Sequence, residues 1–336
     1  MGAAVLSESL EDARFETHKA WVSWLQFLLR RLLRLVISLF VIVLVAFLAP
    51  RAAGGDPVRA ALGATAPESV VRAREAQLGL DQSLLVQFGH YLLGLLHGDL
   101  GSSFITGASV SAVVRGSLPA TVELAGLASL VVLVVGIPLG LVVAIMTQGS
   151  RRRILDFQFT SWTGLFASVP SYLFAVALVL VFGLVWKVLP VAGKGSPGSY
   201  VLPVLALAVP SIAVIARIGR LEALRVMEED YVRAARSKRL PGRIIYLRHV
   251  LPNMLTSILT LTGMILGGMV SSSVLVEDVF NWPGLGNQLV QAIASQDYGV
   301  VQGIALVYAA FILVVNLVVD ICVALIDPRN TLMDTG

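Results

Sequence analysis

The chain reads as an all-α integral membrane protein of six transmembrane helices, with a helical insertion after the first span. Three observations predict this. Six stretches stay apolar over about the 20 residues that a helix needs to cross ~30 Å of hydrocarbon. Only 14% of the residues are charged and 57% are apolar, with mean hydropathy +0.84, whereas a soluble domain carries about 25% charged residues. Basic residues also gather on alternate sides of the spans, as membrane orientation requires.

The spans fall at 32–49, 118–146, 157–186, 201–223, 251–276 and 300–326. Arg151, Arg152 and Arg153 divide the second from the third. The run 187–199, with Pro190, Gly193, Gly195, Pro197 and Gly198, divides the third from the fourth. Pro138, Pro170, Pro203 and Pro210 lie inside spans, where neighbouring helices can satisfy the freed carbonyls. The first span follows Arg30, Arg31 and Arg34 as a signal peptide would, but its 18-residue apolar run exceeds the usual 7–15. It is therefore expected to stay as a helix, with 21–27 as an interfacial helix before it.

With the N-terminus inside, seventeen lysines and arginines fall on the inner side and seven on the outer. Both termini are then cytoplasmic. The expected organisation is a cytoplasmic extension over 1–28, the first span over 29–50 and an extracytoplasmic helical insertion over 51–116. A five-helix core over 117–327 contains a charged loop at 222–250, and a cytoplasmic tail follows over 328–336. Net charge +4 is too small to argue for nucleic acid. The single cysteine, Cys322, sits in an apolar run and excludes both an intramolecular disulfide and a cysteine-cluster metal site.

In the insertion, 67–80 has helical spacing and Asp81 suits the start of a second helix towards His97. This subdomain either contacts a soluble partner or lids the bundle. His90, His97 and Asp99 do not make a metal site. No further histidine lies near, and Gly98 and Gly101 bracket Asp99 as in a turn. No metal is expected.

The second outer loop contains Phe280, Trp282, Pro283 and Gly284, a tight turn with aromatic residues suited to an interface or the edge of a lid. With Asp99, these four are candidates for an extracytoplasmic gate or a contact with a soluble binding protein. Before them, Ser271, Ser272, Ser273 and Glu277 mark one end of the fifth span. Small residues permit close helix packing; hydroxyls and a carboxylate also suit a hydrophilic translocation pathway. Glu123, placed in the first turns of its helix, is expected to be steadied by the helix dipole, and Asp320 by an arginine.

The loop between the fourth and fifth spans is the most unusual segment. Arg220, Arg225, Arg233, Arg236, Lys238, Arg239, Arg243 and Arg248 stand there against four acidic residues. Residues 222–240 read as one helix, supported by Glu222/Arg225, Arg225/Glu229, Glu229/Arg233 and Asp230/Arg233 pairs, and ended by Pro241-Gly242. Ala234-Ala235 forms a small-side-chain patch beside Tyr231. It either seats the helix in a partner's groove, with arginines at the rim, or faces anionic lipid.

This loop resembles the cytoplasmic signature of ABC-importer permeases, in which Glu-Ala-Ala and Gly precede a distal Leu-Pro. Ala234, Ala235, Leu251 and Pro252 take the matching positions; Arg233 replaces the glutamate, Arg239 the glycine and His249 the isoleucine. The run from Asp230 and Tyr231 through Arg233, Arg236 and Lys238 is similar to the version in peptide-importer permeases. Arg239 departs from it. Further resemblance to first-type permeases of dipeptide/oligopeptide importers runs along the chain. It includes Arg30-Arg31-Leu32, Gly55-Asp56-Pro57, Leu78-Gly79-Leu80-Asp81, His97-Gly98-Asp99-Leu100-Gly101 and Ala120-Thr121-Val122-Glu123-Leu124. It continues through Trp282-Pro283-Gly284-Leu285-Gly286, then Asp297-Tyr298 with Val300-Val301-Gln302-Gly303, and Val315-Asn316 through Asp320.

The resemblance implies a type I ABC importer permease fold in a bacterial inner membrane. It implies four partner subunits: a homologous second permease, two cytoplasmic ATPases and an extracytoplasmic substrate-binding protein. Glu229, Asp230, Tyr231, Arg233, Ala234, Ala235, Arg236, Lys238, Arg239, Leu251 and Pro252 would couple to the ATPases. The chain has no phosphate-binding Gly-x-x-x-x-Gly-Lys-Ser/Thr loop, so ATP and Mg²⁺ belong to those partners and no cofactor is expected here. The implied cargo is a peptide, with a nickel chelate, glutathione or another small solute as alternatives. An ATP-independent carrier or channel is the reading of another class; matching inverted halves are not visible. No Gly-x-Ser-x-Gly or His-Glu-x-x-His suggests an intramembrane enzyme.

Overall fold

The computed structural model describes residues 26, 29–48, 58–59, 65–77, 79–150 and 152–326, without the side chains of 74, 150, 256, 260 and 322–326. The interfacial helix expected at 21–27, the extension, the tail, Gly55-Asp56-Pro57 and the Cys322 side chain therefore lie outside or largely outside the described residues. Among the described residues the regular structure is helical, with one isolated bridge between Ser102 and Ser109 and irregular connections such as 97–109 and 186–196. In order these are α1 (Leu29–Leu48), α2 (Glu68–Gln77), α3 (Leu84–Leu96), α4 (Val110–Thr147), α5 (Arg153–Ser168) and α6 (Ser171–Val185). There follow α7 (Val201–Met227), α8 (Asp230–Ser237), α9 (Leu251–Val279), α10 (Leu285–Ala294) and α11 (Tyr298–Ile326). Four of these segments are long and apolar enough to cross a membrane singly, and two bent pairs qualify if each is one span.

The sharper of the two breaks follows a proline. Pro170 forces Val169 into an extended conformation (φ −85°, ψ 121°), so α5 and α6 meet at 97°. Gentler adjustments precede Pro138 and Pro252. A proline cannot donate to the carbonyl one turn back, and a π turn stands just before each, at Val132–Gly136 and Ile245–Val250. Helix α4 begins at Val110, ahead of the boundary expected at 117. Glu123 is consequently in a helix interior rather than its first turns, and the dipole argument for it fails.

Helix α7 is the centre of the bundle. Leu202, Ala206, Leu207, Ala208, Ile215, Ala216 and Ala223 are all buried, packed with Leu124, Ala128 and Val132 of α4 and Met254 and Ile258 of α9. The approach of α4 to α7 is backbone to backbone. A Cβ on Gly140 would stand 2.6 Å from the Ala216 carbonyl oxygen and 2.9 Å from the Arg220 nitrogen, so only glycine allows this crossing. At one end Arg220 joins Asp156 of α5 at 2.6 Å and Thr147 of α4 at 3.3 Å. Arg220, counted above with the loop's basic residues, thus pairs inside the bundle end.

A second apolar cluster joins Val110 and Val114 of α4, Val270 of α9, Leu285 of α10, and Ile304 and Tyr308 of α11. The segment after α3 is fastened to it. Buried Asp297, between α10 and α11, accepts hydrogen bonds from the Ser103 hydroxyl and from Phe104 N at 3.1 Å. A Cβ on Gly299 would stand 2.3 Å from the Ser102 carbonyl oxygen, and one on Gly303 2.5 Å from Val110 Cγ1. Among the contacts of helix α1, Arg31 pairs with Asp320 of α11, as expected for that carboxylate, and Phe40 and Phe47 meet the rings of α3.

Candidate functional site

The basic loop does not form one helix over 222–240. Helix α7 stops at Met227, Glu229 turns extended (φ −66°, ψ 147°), and α8 restarts at Asp230. The Glu229 carbonyl accepts from Val232 N and Arg233 N at 3.0 and 3.1 Å. Of the expected pairs, Glu222/Arg225 forms at 4.0 Å and Asp230/Arg233 at 3.6 Å, each within its own helix. A chain redirected at Glu229 can lay α8 across the bundle end; a continuous helix would project beyond it.

Helix α8 has two faces. Val232 and Ala235 are buried in the main core, while Asp230, Tyr231, Arg233, Ala234, Arg236 and Lys238 are exposed. The alanine pair is therefore divided: Ala235 holds α8 to the bundle and Ala234 stands on the free face. At helical spacing Ala234 is flanked by Asp230, Ser237 and Lys238, a small centre inside a charged rim. Partial desolvation, and secondarily Glu229, push the Tyr231 phenol above its usual value.

Arg239 explains why a glycine is expected at its position. It adopts φ 56°, the left-handed region, just past the end of α8. Arg239 N donates to Arg236 O at 2.9 Å and Leu240 N to Ala235 O at 3.4 Å, closing the helix terminus. A side chain in that conformation costs about 1 kcal/mol relative to glycine. Arg239 thus keeps the turn and carries local strain. Further on, Leu251 is half-buried against the core and exposed Pro252 sits in the first turn of α9.

At the opposite end of the bundle the 280–286 loop lies inward. Phe280, Trp282 and Gly284 are buried, and only Asn281 and Pro283 are exposed. Trp282 Nε1 donates to Ala120 O at 3.0 Å, Leu285 N to Thr121 Oγ1 at 2.8 Å and Gly193 N to Phe280 O at 2.8 Å. Glu277 is completely buried behind this turn. It accepts from Gly286 N at 2.7 Å and lies 3.4 Å from the Ser273 and Tyr308 hydroxyls. A Cβ on Gly284 would collide with the Glu277 carboxylate. The arrangement is a polar staple joining α4, α9 and α11.

Ser271, Ser272 and Ser273 each donate to a carbonyl of their own helix, at 3.5, 3.1 and 2.8 Å. Ser273 is buried beside Glu277; Ser271 is exposed and borders a cleft of about 480 Å³ between α9 and α11. Gly267, Gly268, Asn316, Asp320 and Arg31 also border it. Of the four residues expected on a pathway, Ser271 borders the cleft, Ser273 and Glu277 are in the core, and half-buried Ser272 is in neither. A second cleft, of about 540 Å³, opens near Trp282, where Glu123 pairs with Lys194 and accepts from Tyr200 at 2.8 Å. The hydrogen bond to Glu123 pushes the Lys194 ammonium above its usual value. Neither partner of Glu123 was anticipated: both are more than seventy residues away in sequence.

Exposed Asp99 accepts from Gly101 N at 2.9 Å, which makes it a turn residue, and His97 Nδ1 lies 2.7 Å from Leu93 O. Among the described residues no group of three or more His, Cys, Asp or Glu could hold a metal.

Comparison with known proteins accounts for this architecture. Residues 136–332 match the family described as "Binding-protein-dependent transport system inner membrane component", and 24–125 match the N-terminal domain of such components. A putative peptide transport system permease protein of Brucella suis is 36% identical over 311 residues, covering 90% of this chain and 98% of that protein. A glutathione transport system permease protein of Salmonella choleraesuis is 33% identical over 304 residues, covering 90% and 98%. Among solved structures, an inward-facing methionine ABC transporter aligns with a TM-score of 0.55 at 16% identity, covering 64% of this chain and 96% of that one. At that identity the likeness concerns the fold.

Proposed function

The chain belongs to the binding-protein-dependent inner-membrane transport components, as an ABC importer permease of the peptide/glutathione type, and from that membership we propose that α8 is its coupling helix. It is a multi-pass inner-membrane subunit of a transport complex that has ATPase and substrate-binding partners. In the proposed assembly it pairs with a homologous permease, two cytoplasmic ATPases and one extracytoplasmic binding protein. The two bent helix pairs count as one span each. This makes six spans, with both termini cytoplasmic and α8 on the ATPase side.

The observation that carries the coupling role is the division of the alanine pair. Val232 and Ala235 fix α8 to the core that contains α7 and α9, while Ala234 and its charged rim stay exposed. Force applied to the free face is then delivered directly to two spanning helices. Glu229 and Arg239 set the two ends of this short helix, and Leu251 and Pro252 set the entry into α9. The test is Ala234→Glu in the complete reconstituted importer. Uptake falls at least about tenfold, a loss equivalent to ~1.4 kcal/mol of coupling, while assembly persists and ATP hydrolysis continues. Normal uptake in that variant would remove α8 from the coupling path.

The proposed cargo is a di- or oligopeptide, supported by the names of the Brucella relatives; glutathione is favoured by the Salmonella relative. Uptake of labelled dipeptide, oligopeptide and glutathione, measured with the system's own binding protein, separates them. The proposed pathway element on this chain is the cleft at Ser271. Asn281 and Pro283 are the exposed residues of the 280–286 loop available to a binding protein. Glu277 serves the pathway indirectly, by holding that loop.

A further inference from the structure

We propose that α3 is a membrane-embedded helix that lies in the outer leaflet beside α1 and contacts lipid. The insertion that carries it is therefore not wholly extracytoplasmic.

The depth of α3 follows from its aromatic contacts. Phe88 meets Phe40 at 6.3 Å and Phe47 at 5.1 Å between ring centroids, and Tyr91 stacks on Phe47 at 5.8 Å. Phe40 is near the middle of α1 (Leu29–Leu48) and Phe47 is close to its end. With a rise of 1.5 Å per residue, Phe88 lies roughly 5–10 Å inside the end of the span. That is the depth at which interfacial helices bury their apolar face. A helix above the membrane would reach Phe47 but not Phe40.

The surface of α3 fits only an apolar surrounding. Its 13 residues are too short to cross the bilayer, and none of them is buried by the protein. Leu85 is 85% exposed and Leu96 82%, with Leu93 and Val86 also exposed. At 100° per residue these four form one continuous arc, turned away from the side that touches α1. The polar Gln87 and His90 are confined to a separate strip. Gln87 is engaged there, donating to Leu80 O and Gln82 O at 3.0 and 2.8 Å. The leucine arc continues the apolar outer surface of α1, where Val36, Val41 and Val45 are about half exposed. Lipid already covers that surface in a multi-pass membrane protein, and the occupant of the arc is the same lipid.

The consequence is mechanical. Helix α3 leads directly into the 97–109 segment, which Asp297 fastens to the bundle. A helix floating in the leaflet fixes one end of that segment and Asp297 fixes the other.

The assignment to the outer leaflet rests on the topology proposed above; insertion itself does not. The experiment uses the complete importer in vesicles of phosphatidylethanolamine and phosphatidylglycerol, on a Cys322→Ser background. Nitroxide labels are placed at Leu85→Cys and Leu93→Cys, with Gln82→Cys as the reference in the preceding turn. Labels on the leucine arc are relaxed more by oxygen than by a water-soluble nickel chelate, and the preference reverses at Gln82→Cys. Should Leu85→Cys fail to assemble, Leu96→Cys reads the same arc. Relaxation dominated by nickel on the arc overturns the proposal, because α3 is then in water. Exclusion of both reagents overturns it too, since another protein then covers the arc. A wrong topology would move α3 to the other leaflet without changing the oxygen-to-nickel preference, so the two failures are distinguishable.

Discussion

The basic loop and the 280–286 loop close opposite ends of the same helix, α9, and they use polar groups in opposite ways. Around α8 the charges are spread over the solvent-facing side, and two small apolar contacts, Val232 and Ala235, hold the helix to the core. Around Trp282 the polar groups are inside, and each has a partner there: Glu277 with Gly286 N, Thr121 with Leu285 N, and the indole with Ala120 O. The first arrangement leaves a charged, solvent-facing surface, the one proposed above to meet an ATPase. The second leaves little free and binds three helices into one unit. The comparison teaches that exposed charges leave a face free, whereas buried, partnered polar groups in a loop make a joint.

Substitutions sharpen this contrast. The largest expected effect is from Trp282→Ala, which removes a fully buried indole and its hydrogen bond; loss of a core aromatic costs about 3–5 kcal/mol. A fall in the unfolding midpoint of the purified complex checks it, and an unchanged midpoint would return the loop to the surface. Next comes Ala235→Glu, set beside its neighbour Ala234→Glu. At 235 the carboxylate enters the core, and an unpaired buried charge costs about 3 kcal/mol or more. At 234, in the permease without its ATPases, it stays in water, and stability changes by at most about 0.5 kcal/mol. Equal stability of the two variants would mean that α8 has no inner face.

Smaller effects refine the joint and the helix end. Glu277→Ala leaves Gly286 N without its acceptor, at a cost of about 1–3 kcal/mol. Glu277→Gln retains an acceptor oxygen and should recover much of that stability in the same thermal measurement. Arg239→Gly relieves the left-handed turn and raises stability by about 1 kcal/mol. A decrease would show that the arginine side chain contributes contacts that outweigh the strain.

Much of the bundle could be read from the chain before its structure was known. The apolar stretches, the arginine runs and Asp320's pairing with an arginine all depend on local composition or on a cost that any fold must meet. The junction at Glu229 was not legible, because the charge pairs that support one helix over 222–240 support two shorter helices equally well. Nor was the inward turn of Phe280 and Trp282. An aromatic–proline–glycine run suits a membrane interface and a packed core alike, and what decides is Thr121 and Ala120, more than 150 residues earlier. The π turns before Pro138 and Pro252 sit between these cases, since the proline signals a disturbance but not its form.

By itself, the sequence determined a helical membrane subunit of an importer, through hydrophobic length, basic asymmetry and motifs that survive in order along the chain. Which face each residue presents was left to the tertiary structure. It put Ala234 outside and Ala235 inside, made Glu277 part of a joint, and set α3 beside α1 rather than above it. The physical reason is that hydrophobicity is a property of a residue, while burial, hydrogen-bond satisfaction and depth are relations between residues brought together only by folding.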